Sequence, residues 1–163
     1  MNETTYDLAI TFGRFNLLHN GHLDLFHRMA KMAHECSIGV SSGDRNLPLA
    51  DRVTVIDKAL KPNNRCYRIV GGSNPFDYFG KIDETNPGGS VIVFLGEDQE
   101  ALAKAAKRVF GWDYHLVKRL GSSTDVRGMI DREEWDRLVD SVPLEIIPDV
   151  ARLRGVELAR SSK

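Results

Sequence analysis

The chain of 163 residues is long enough for one domain with a sizeable core, and its hydrophobic share of 42% and charged share of 28% are those of an ordinary globular protein. Its 22 Lys and Arg residues nearly balance its 23 Asp and Glu residues, which gives a formal net charge of -1. It therefore lacks the excess of basic residues that proteins which bind nucleic acids or anionic membranes usually carry. We expect a single domain over residues 1–163, with no nucleic-acid or membrane partner.

The cysteines and the N-terminus indicate a protein of the cytoplasm. Cys36 and Cys66 are too few for a Cys-based zinc site, and we expect both to be buried, reduced thiols. Residues 1–7 are polar and lack the apolar core of a signal peptide. No apolar stretch approaches the roughly 20 residues that a membrane-spanning helix needs.

Short apolar runs alternate with helical patterns along the chain. Residues 8–12 form a nearly continuous apolar run that ends in a glycine, as buried parallel strands do. Apolar residues then recur at spacings of three and four from Leu23 to Ala33, which predicts a helix. Further strands are predicted at residues 37–41, 66–70, 91–95 and 114–117, and further helices at 53–60, within 73–89, at 102–109 and over most of 126–153.

This alternation predicts an α/β fold: a doubly wound parallel sheet of about five strands, with helices on both faces and additional C-terminal helices. Ligands of such sheets bind beyond the carboxyl ends of the strands, near the point where the strand order reverses. Three loops follow predicted strands at Gly13, Ser41 and Gly96. We therefore expect these loops to surround the ligand site.

The loop of residues 13–22 has the composition of a phosphate-binding turn. Gly13 and Gly21 allow a ligand to approach the backbone, and the free N–H groups at a helix start favour anions. His19 and His22 are three residues apart, so both can donate hydrogen bonds to one anion at the helix start. Two other interpretations are half of a metal site and a structural helix cap.

Residues 121–127 form a second candidate phosphate site. Ser122, Ser123 and Thr124 supply hydroxyl and backbone donors before a helix, and Thr124 is the expected N-cap. Arg127 follows within the first turns and can bind a phosphate with two parallel hydrogen bonds. The alternative is an ordinary helix cap with a solvated arginine.

The loop after the fourth strand carries Gly96 and Asp98. Gly96 permits close approach of a ligand, and the Asp98 carboxylate can accept hydrogen bonds from ribose hydroxyls or an exocyclic amine. The alternative role of Asp98 is to cap the next helix.

Together, the two loops resemble a known family. Residues 13–22 resemble the HIGH-type signature of the nucleotidyltransferase superfamily, ending here in Asn20-Gly21-His22. Residues 121–127 resemble its second motif, I-S-[ST]-T-x-I-R. The resemblance covers nearly the whole chain and thins between Gly72 and Ser90. It implies a Rossmann-like fold and an enzyme that transfers a nucleoside monophosphate from a triphosphate to a phosphorylated small molecule.

Within the superfamily, the chain most resembles the archaeal type of nicotinamide-nucleotide adenylyltransferase. The Gly13-Arg14-Phe15 opening, residues 41–60 and the Gly155-Val156-Glu157 segment are similar to that group. The turn departs from the group at Leu17-Leu18, where a Pro-Phe pair is common. The resemblance implies transfer of AMP from ATP to nicotinamide mononucleotide, with release of pyrophosphate and formation of NAD.

The resemblance also assigns roles to residues. His19, His22, Arg127 and Arg14 are expected to stabilise charge on the reacting phosphates. The residues expected to bind the nucleotide are Phe12, Gly13, Arg14, Phe15, His19, Gly21, His22, Gly96, Asp98, Ser122, Ser123, Thr124 and Arg127. Arg45 and Arg52 are expected to bind the acceptor. Mg²⁺ is expected to enter with ATP and without direct protein ligands, and the protein is expected to form a homo-oligomer.

Three other functions remain open. A sister transferase would use phosphopantetheine as the acceptor or make a CDP-linked product. A class I aminoacyl-tRNA synthetase also has a HIGH motif, but this chain is short and has no basic KMSKS-like loop. A non-catalytic nucleotide sensor would have kept the fold without the reaction.

Overall fold

The computed structural model describes residues 6–43, 47–61, 66–118 and 121–161. The strands are β1 (Tyr6–Gly13), β2 (Ala33–Ser41), β3 (Tyr67–Gly72), β4 (Val91–Gly96) and β5 (Asp113–Val117). The helices are α1 (Asn20–Met32), α2 (Leu49–Leu60), α3 (Pro75–Thr85), α4 (Glu100–Phe110), α5 (Ser123–Asp131), α6 (Trp135–Ser141) and α7 (Ile147–Ser161). None of the helices in these ranges is long and apolar enough to span a bilayer.

The five strands form one parallel sheet in the order β3-β2-β1-β4-β5. From β1 the chain moves outward through β2 to β3, then returns to pair β4 with the other side of β1. The strand order therefore reverses between β1 and β4, and their carboxyl ends lie at Gly13 and Gly96. The predicted doubly wound fold is confirmed.

Alternating residues of the central strands pack into two separate cores. On one face Ala9 of β1 packs with residues of α1, α2 and α5 to α7. On the other face Leu8 and Ile10 pack with α3 and α4, where Tyr78 and Phe79 are fully buried. Because both faces are covered, the central strands β1 and β4 are nearly continuous apolar runs, as their sequence indicated.

Two details of the elements differ from the pattern. Ala33, counted on the first helix by its spacing, is instead the first residue of β2, which follows α1 directly. In the segment 73–89 the single helix is α3, of 11 residues. Its start is well specified, because the Asn74 side chain accepts a hydrogen bond from the Asp77 backbone N–H at 2.8 Å and Pro75 occupies the first turn.

Candidate active site

A cavity of about 750 Å³ opens at the carboxyl ends of the strands, where the strand order reverses. Its wall combines the loops after β1, β4 and β5 with the first turns of α1 and α5. All the residues predicted to bind the nucleotide line this cavity except Ser122, which lines an adjoining groove with His19 and Gly21. Two motifs about a hundred residues apart thus share one site.

The loop after β1 has an unusual backbone. Phe15 and Leu17 have φ angles of 51° and 50°, in the left-handed region that glycine normally occupies, yet both side chains are buried. Such conformations cost roughly 1–2 kcal/mol per residue and persist only where surrounding contacts impose them. Phe15 packs against Phe26 and against the edge of the His22 ring, with ring centroids 5.4 and 5.1 Å apart.

Donors from distant elements bind the carbonyl oxygens of this loop. Arg52 Nη1 donates to the Arg14 carbonyl at 2.9 Å, and the Ser123 hydroxyl donates to the Leu17 carbonyl at 2.9 Å. Arg127 Nη2 donates to the Asn16 carbonyl at 3.4 Å. These contacts come from α2 and α5, so the strained loop is held from two sides.

The two histidines form a cap at the start of α1. His19 Nδ1 accepts from the Gly21 backbone N–H at 3.0 Å, and His22 Nδ1 accepts from the His19 backbone N–H at 3.3 Å. Their rings stack with centroids 3.9 Å apart. In a neutral imidazole, an accepting Nδ1 places the proton on Nε2. The cap therefore gives each ring an Nε2–H donor, and the capping and phosphate-binding interpretations are compatible.

The second motif caps α5 with a different residue from the one expected. Ser122, rather than Thr124, is the N-cap, because its hydroxyl accepts from the Asp125 backbone N–H at 3.0 Å. Thr124 is the second residue of α5, where it is exposed and lines the cavity. Gly121 has a φ of +82° and lies beside His19, where an added Cβ would come within 3.9 Å of Nδ1. The motif is therefore in contact with the histidine cap.

Arg127 lies on the cavity wall and is not a freely solvated side chain. It forms a two-pronged ion pair with Glu157 of α7, with Nη2 to Oε2 at 2.7 Å and Nε to Oε1 at 2.9 Å. Only 26% of the Arg127 side chain and 17% of the Glu157 side chain are exposed. The arginine is thus fixed in orientation before any ligand arrives.

Gly96 and Asp98 line the same cavity as the histidines, at the end of β4. A Cβ on Gly96 would lie 2.7 Å from Asp98 Oδ1, so the glycine makes room for the carboxylate. The short turn Glu97–Gln99 begins at Gly96 without a side-chain cap, and the Asp98 carboxylate makes no hydrogen bond within the described ranges. The capping role considered for Asp98 is absent from this part of the chain.

The arginines predicted for phosphate or acceptor binding have different environments. Arg14 is exposed on the cavity wall. Arg52 is 2% exposed and also donates through Nε to the Leu47 carbonyl at 2.8 Å. Burial lowers the pKa of its guanidinium. Arg52 does not line the main cavity, and Arg45 lies outside the described residues. Their acceptor-binding roles stay predictions.

The cavity wall includes polar residues that the motifs did not single out. Lys118 follows β5, Gln99 follows β4, and Asn16 lies within the first loop. The sheet-edge argument contains the signal for Lys118, which comes directly after a predicted strand, and for Gln99, which lies in the loop after another. The pairing of Glu157 with Arg127 has no such local signal, because 30 residues separate them.

Known nucleotidyltransferases are similar to this chain in sequence. The cytidylyltransferase-like family model matches residues 10–73, which include the first motif. The nicotinamide-nucleotide adenylyltransferase of Methanococcus aeolicus is 24% identical over 87% of this chain and 88% of its own length. The phosphopantetheine adenylyltransferase of Vesicomyosocius okutanii is 28% identical over 86% of this chain and 84% of its own length.

A solved structure has the same fold. Nicotinic acid mononucleotide adenylyltransferase of Plasmodium falciparum, complexed with APC, superposes with a TM-score of 0.71 at 12% identity, covering 91% of this chain and 96% of that chain. The resemblance to the nucleotidyltransferase superfamily, and to its archaeal nicotinamide-nucleotide members, is thus confirmed. The similar proteins are adenylyltransferases, which supports an enzyme of the nucleotidyltransferase class.

Proposed function

We propose that this protein transfers AMP from ATP to nicotinamide mononucleotide, releasing pyrophosphate and forming NAD. The observation that carries the proposal is the convergence of both motifs on one cavity at the reversal of the strand order. The start of α1, the histidine cap and Arg127 together present a concentration of hydrogen-bond donors there. The similarity to nicotinamide-nucleotide adenylyltransferases supports the choice of acceptor.

The donors on the cavity wall suit a triphosphate. The first turn of α1 has no acidic residue, so its backbone N–H groups and helix dipole favour an anion. In their neutral form, His19 and His22 each contribute an Nε2–H donor, because both Nδ1 atoms are engaged in the cap. We assign Arg127 and the exposed Arg14 to the remaining phosphate charge.

The reaction needs no protein nucleophile. An oxygen of the acceptor phosphate attacks the α-phosphorus of ATP in line, the bond to the β-phosphate oxygen breaks, and pyrophosphate leaves with the electron pair. A phosphate monoester has a second pKa of about 6, so the attacking oxygen is already ionised at neutral pH. Catalysis then comes from positioning, which can supply roughly 7–11 kcal/mol, and from donors aimed at the developing charge.

We place the adenosine at the end of β4 and the acceptor beyond β1. Asp98 has a carboxylate without a protein partner in the described ranges, and it can accept from ribose hydroxyls or the adenine amine. Arg52 and Arg45 remain the proposed contacts of the acceptor. Arg52 is 2% exposed and donates to the Arg14 and Leu47 carbonyls, so a direct contact with the acceptor would require the loop after β1 to shift.

The proposed reaction also uses a divalent cation. Mg²⁺ usually keeps several water ligands and binds substrate phosphates, so we propose that it enters with ATP and offsets the charge of the triphosphate. Within the described ranges, no group of three or more His, Cys, Asp and Glu side chains is arranged to hold a metal ion. A cytoplasmic location and a homo-oligomeric state remain part of the proposal.

The test is a pyrophosphate-release screen. ATP and CTP are each paired with nicotinamide mononucleotide, nicotinate mononucleotide, phosphopantetheine and glycerol phosphate. We expect turnover with ATP and nicotinamide mononucleotide. Turnover with CTP alone would exclude adenylyl transfer, and no turnover with any pair would favour a nucleotide sensor. Preference for phosphopantetheine would favour the second candidate, which the similarity to a phosphopantetheine adenylyltransferase supports.

His22→Ala shows whether the turnover belongs to this cavity. Loss of one donor to developing charge costs roughly 2.7–4 kcal/mol, or about 10²–10³ in kcat. The melting temperature should fall only slightly, since a lost cap costs about 1 kcal/mol. His34→Ala is the matched control, because His34 is exposed on β2 and does not line the cavity. A near-normal kcat in His22→Ala would show that His22 acts only as a helix cap.

A further inference from the structure

Glu157 contacts the cavity only through Arg127. Its two carboxylate oxygens accept three hydrogen bonds from one edge of the guanidinium: Nε to Oε1 at 2.9 Å, Nε to Oε2 at 3.1 Å, and Nη2 to Oε2 at 2.7 Å. Glu157 itself is absent from the cavity wall, whereas Arg127 is part of it. The carboxylate therefore lies behind the arginine as seen from the cavity.

This contact divides the guanidinium into two edges. The Nε–Nη2 edge is occupied by Glu157, and Nη2 also donates to the Asn16 carbonyl at 3.4 Å. Nη1 has no hydrogen-bond partner among the residues that the structure describes. Both of its N–H groups remain available to an oxyanion, and Arg127 lies on the cavity wall. The ion pair leaves the arginine competent to bind phosphate.

A second arginine also donates to Glu157 and helps to hold it in position. Arg154, one turn earlier on α7, donates through Nη1 to Glu157 Oε1 at 3.3 Å. Its Nε and Nη2 donate to the two oxygens of Asp131 at 2.9 and 2.7 Å. The charges thus alternate from Asp131 through Arg154 and Glu157 to Arg127, and they join the middle and the C-terminal end of α5 to α7. Arg127 is the member of this series that lines the main cavity.

Burial distinguishes this pair from another ion pair on the same helix. Asp149 of α7 accepts from Lys58 of α2 at 2.9 Å, with side-chain exposures of 24% and 48%. That lysine is a flexible, hydrated charge, whereas the planar Arg127 fork has both prongs on one carboxylate. The Glu157 contact restricts a long side chain to one orientation, and the Asp149 contact does not.

We propose that Glu157 is a positioning residue of the active site, which holds the Nε–Nη2 edge of Arg127 so that Nη1 faces the triphosphate of ATP. The proposal rests on the proposed function. An unrestrained arginine loses much side-chain freedom when it binds phosphate, and a preset orientation removes that cost from the transition state. The opposite role, in which Glu157 competes with the triphosphate for Arg127, predicts the opposite kinetic change.

The test uses the full chain and the variant Glu157→Gln, which keeps the shape of the side chain but removes its charge. We expect kcat/KM for ATP to fall about tenfold, with KM for the acceptor unchanged. Asp149→Asn is the matched control, because it removes the same charge from the same helix without touching Arg127. It should leave both parameters as in the wild type.

A double-mutant cycle with Arg127→Ala separates positioning from a general effect on folding. If Glu157 acts only through Arg127, adding Glu157→Gln to Arg127→Ala changes kcat/KM less than twofold. An equal tenfold loss in that background would overturn the proposal, as would wild-type kinetics of Glu157→Gln. Tighter binding of ATP by Glu157→Gln would show competition instead. If Glu157→Gln does not fold, Glu157→Asp keeps the charge and should show a smaller loss in the same parameter.

Calorimetry with a non-hydrolysable ATP analogue distinguishes failure of the positioning role of Glu157 from failure of the proposed reaction. If the wild type binds the analogue but turns over no acceptor, the proposed reaction fails while the effect of Glu157→Gln on affinity still tests positioning. If Glu157→Gln binds the analogue as tightly as the wild type and its kcat is also unchanged, Glu157 is only a structural ion-pair partner.

Discussion

The two edges of the sheet turn the chain in different ways. At the amino edge, Gly88 before β4 and Gly111 before β5 both have a φ of 76°, and glycine takes this conformation at no steric cost. At the carboxyl edge, the left-handed positions after β1 are occupied by Phe15 and Leu17. Neither has the small or amide side chain that tolerates such angles.

The contrast indicates that the loop after β1 serves a purpose other than reversing the chain. The amino-edge turns carry no backbone strain, and they serve only to reverse the chain. The loop after β1 is strained and is held there by Arg52, Ser123 and Arg127, which bind its carbonyl oxygens. Strain of this kind accumulates where a backbone is preset for a ligand. Changes at the carboxyl edge should therefore affect the reaction, and changes at the amino edge should affect stability alone.

The largest effect is expected at Arg127. Arg127→Ala removes both a phosphate donor and the contact with the Asn16 carbonyl, so kcat/KM for ATP should fall by about 10²–10³ or more. Arg127→Lys should recover only part of the loss, because an ammonium keeps the charge but not the planar fork. The measurement is the ranking of kcat/KM: wild type, then Lys, then Ala.

The melting temperature of Arg127→Ala should be measured beside its kinetics. Loss of Arg127 leaves the Glu157 carboxylate with Arg154 as its remaining partner, so we expect a modest fall in stability beside the large kinetic loss. An Ala variant as active as the wild type would remove the second motif from the active site. The difference between the two edges of the sheet would then lose its functional meaning.

Much of the fold could be predicted because its signals are local. Nearly continuous apolar runs that end in glycine predicted β1 and β4, weaker apolar patterns predicted the other strands, and periodicity predicted the helices. The position of the site followed from a general rule of parallel sheets, so the loops at Gly13, Ser41 and Gly96 could be placed together without knowing any contact. The second motif was placed there by the family resemblance.

The remaining features depend on long-range contacts. No local pattern predicts a left-handed Phe15, because the strain is supported by residues on α2 and α5. The choice of Ser122 over Thr124 as the cap depends on where α5 begins, and three hydroxyl residues in a row leave that open. The burial of Arg52 and its bonds to backbone carbonyls likewise require the folded loop.

The cysteines test whether the core near the amino edge is separate from the reaction. Cys36 is buried as expected, whereas Cys66 is only half-buried, and neither lines the main cavity. Burial, with the neighbouring Cys66, raises the pKa of the Cys36 thiol to about 12. Replacing both with Ala should keep turnover within a few-fold, while packing losses cost about 1–3 kcal/mol of unfolding free energy. Turnover and a thermal melt are the measurements. Stoichiometric zinc that disappears in the double variant would contradict this separation.

Gly111 offers a test of the relaxed turns themselves. A Cβ at this position would meet nothing within 4 Å, so Gly111→Ala adds only the cost of the left-handed backbone, about 1–2 kcal/mol. Gly80 is the matched control: its Cβ would also meet nothing, but it lies within α3. Gly80→Ala should stabilise the protein by roughly 0.5–1 kcal/mol. Denaturant unfolding gives both values, and a change in kcat/KM in either variant would contradict the division between the edges.

The smallest effect is expected at Asp131, at the end of α5 far from the cap that faces the cavity. Hydrogen bonds from Arg154 hold the pKa of the Asp131 carboxyl below its ordinary value of 3.8. A carboxyl whose pKa is lower in the folded than in the unfolded protein stabilises the fold above the unfolded value and ceases to do so as the pH falls through the folded value. Asp131→Asn should therefore melt slightly below the wild type at pH 7, and the difference should shrink as the pH falls below the ordinary carboxyl value of 3.8.

Asp136→Asn is the control for this variant, because Asp136 is exposed on α6 and has no ion pair within the described ranges. It removes an acidic charge without breaking an ion pair, so it should melt like the wild type at pH 7. Since Arg154 keeps its bond to Glu157 when Asp131 is neutralised, kcat/KM for ATP should change less than twofold in Asp131→Asn. A larger kinetic loss would mean that the orientation of Arg127 depends on the whole series of charges, and the influence of the carboxyl edge would then extend to the far end of α5.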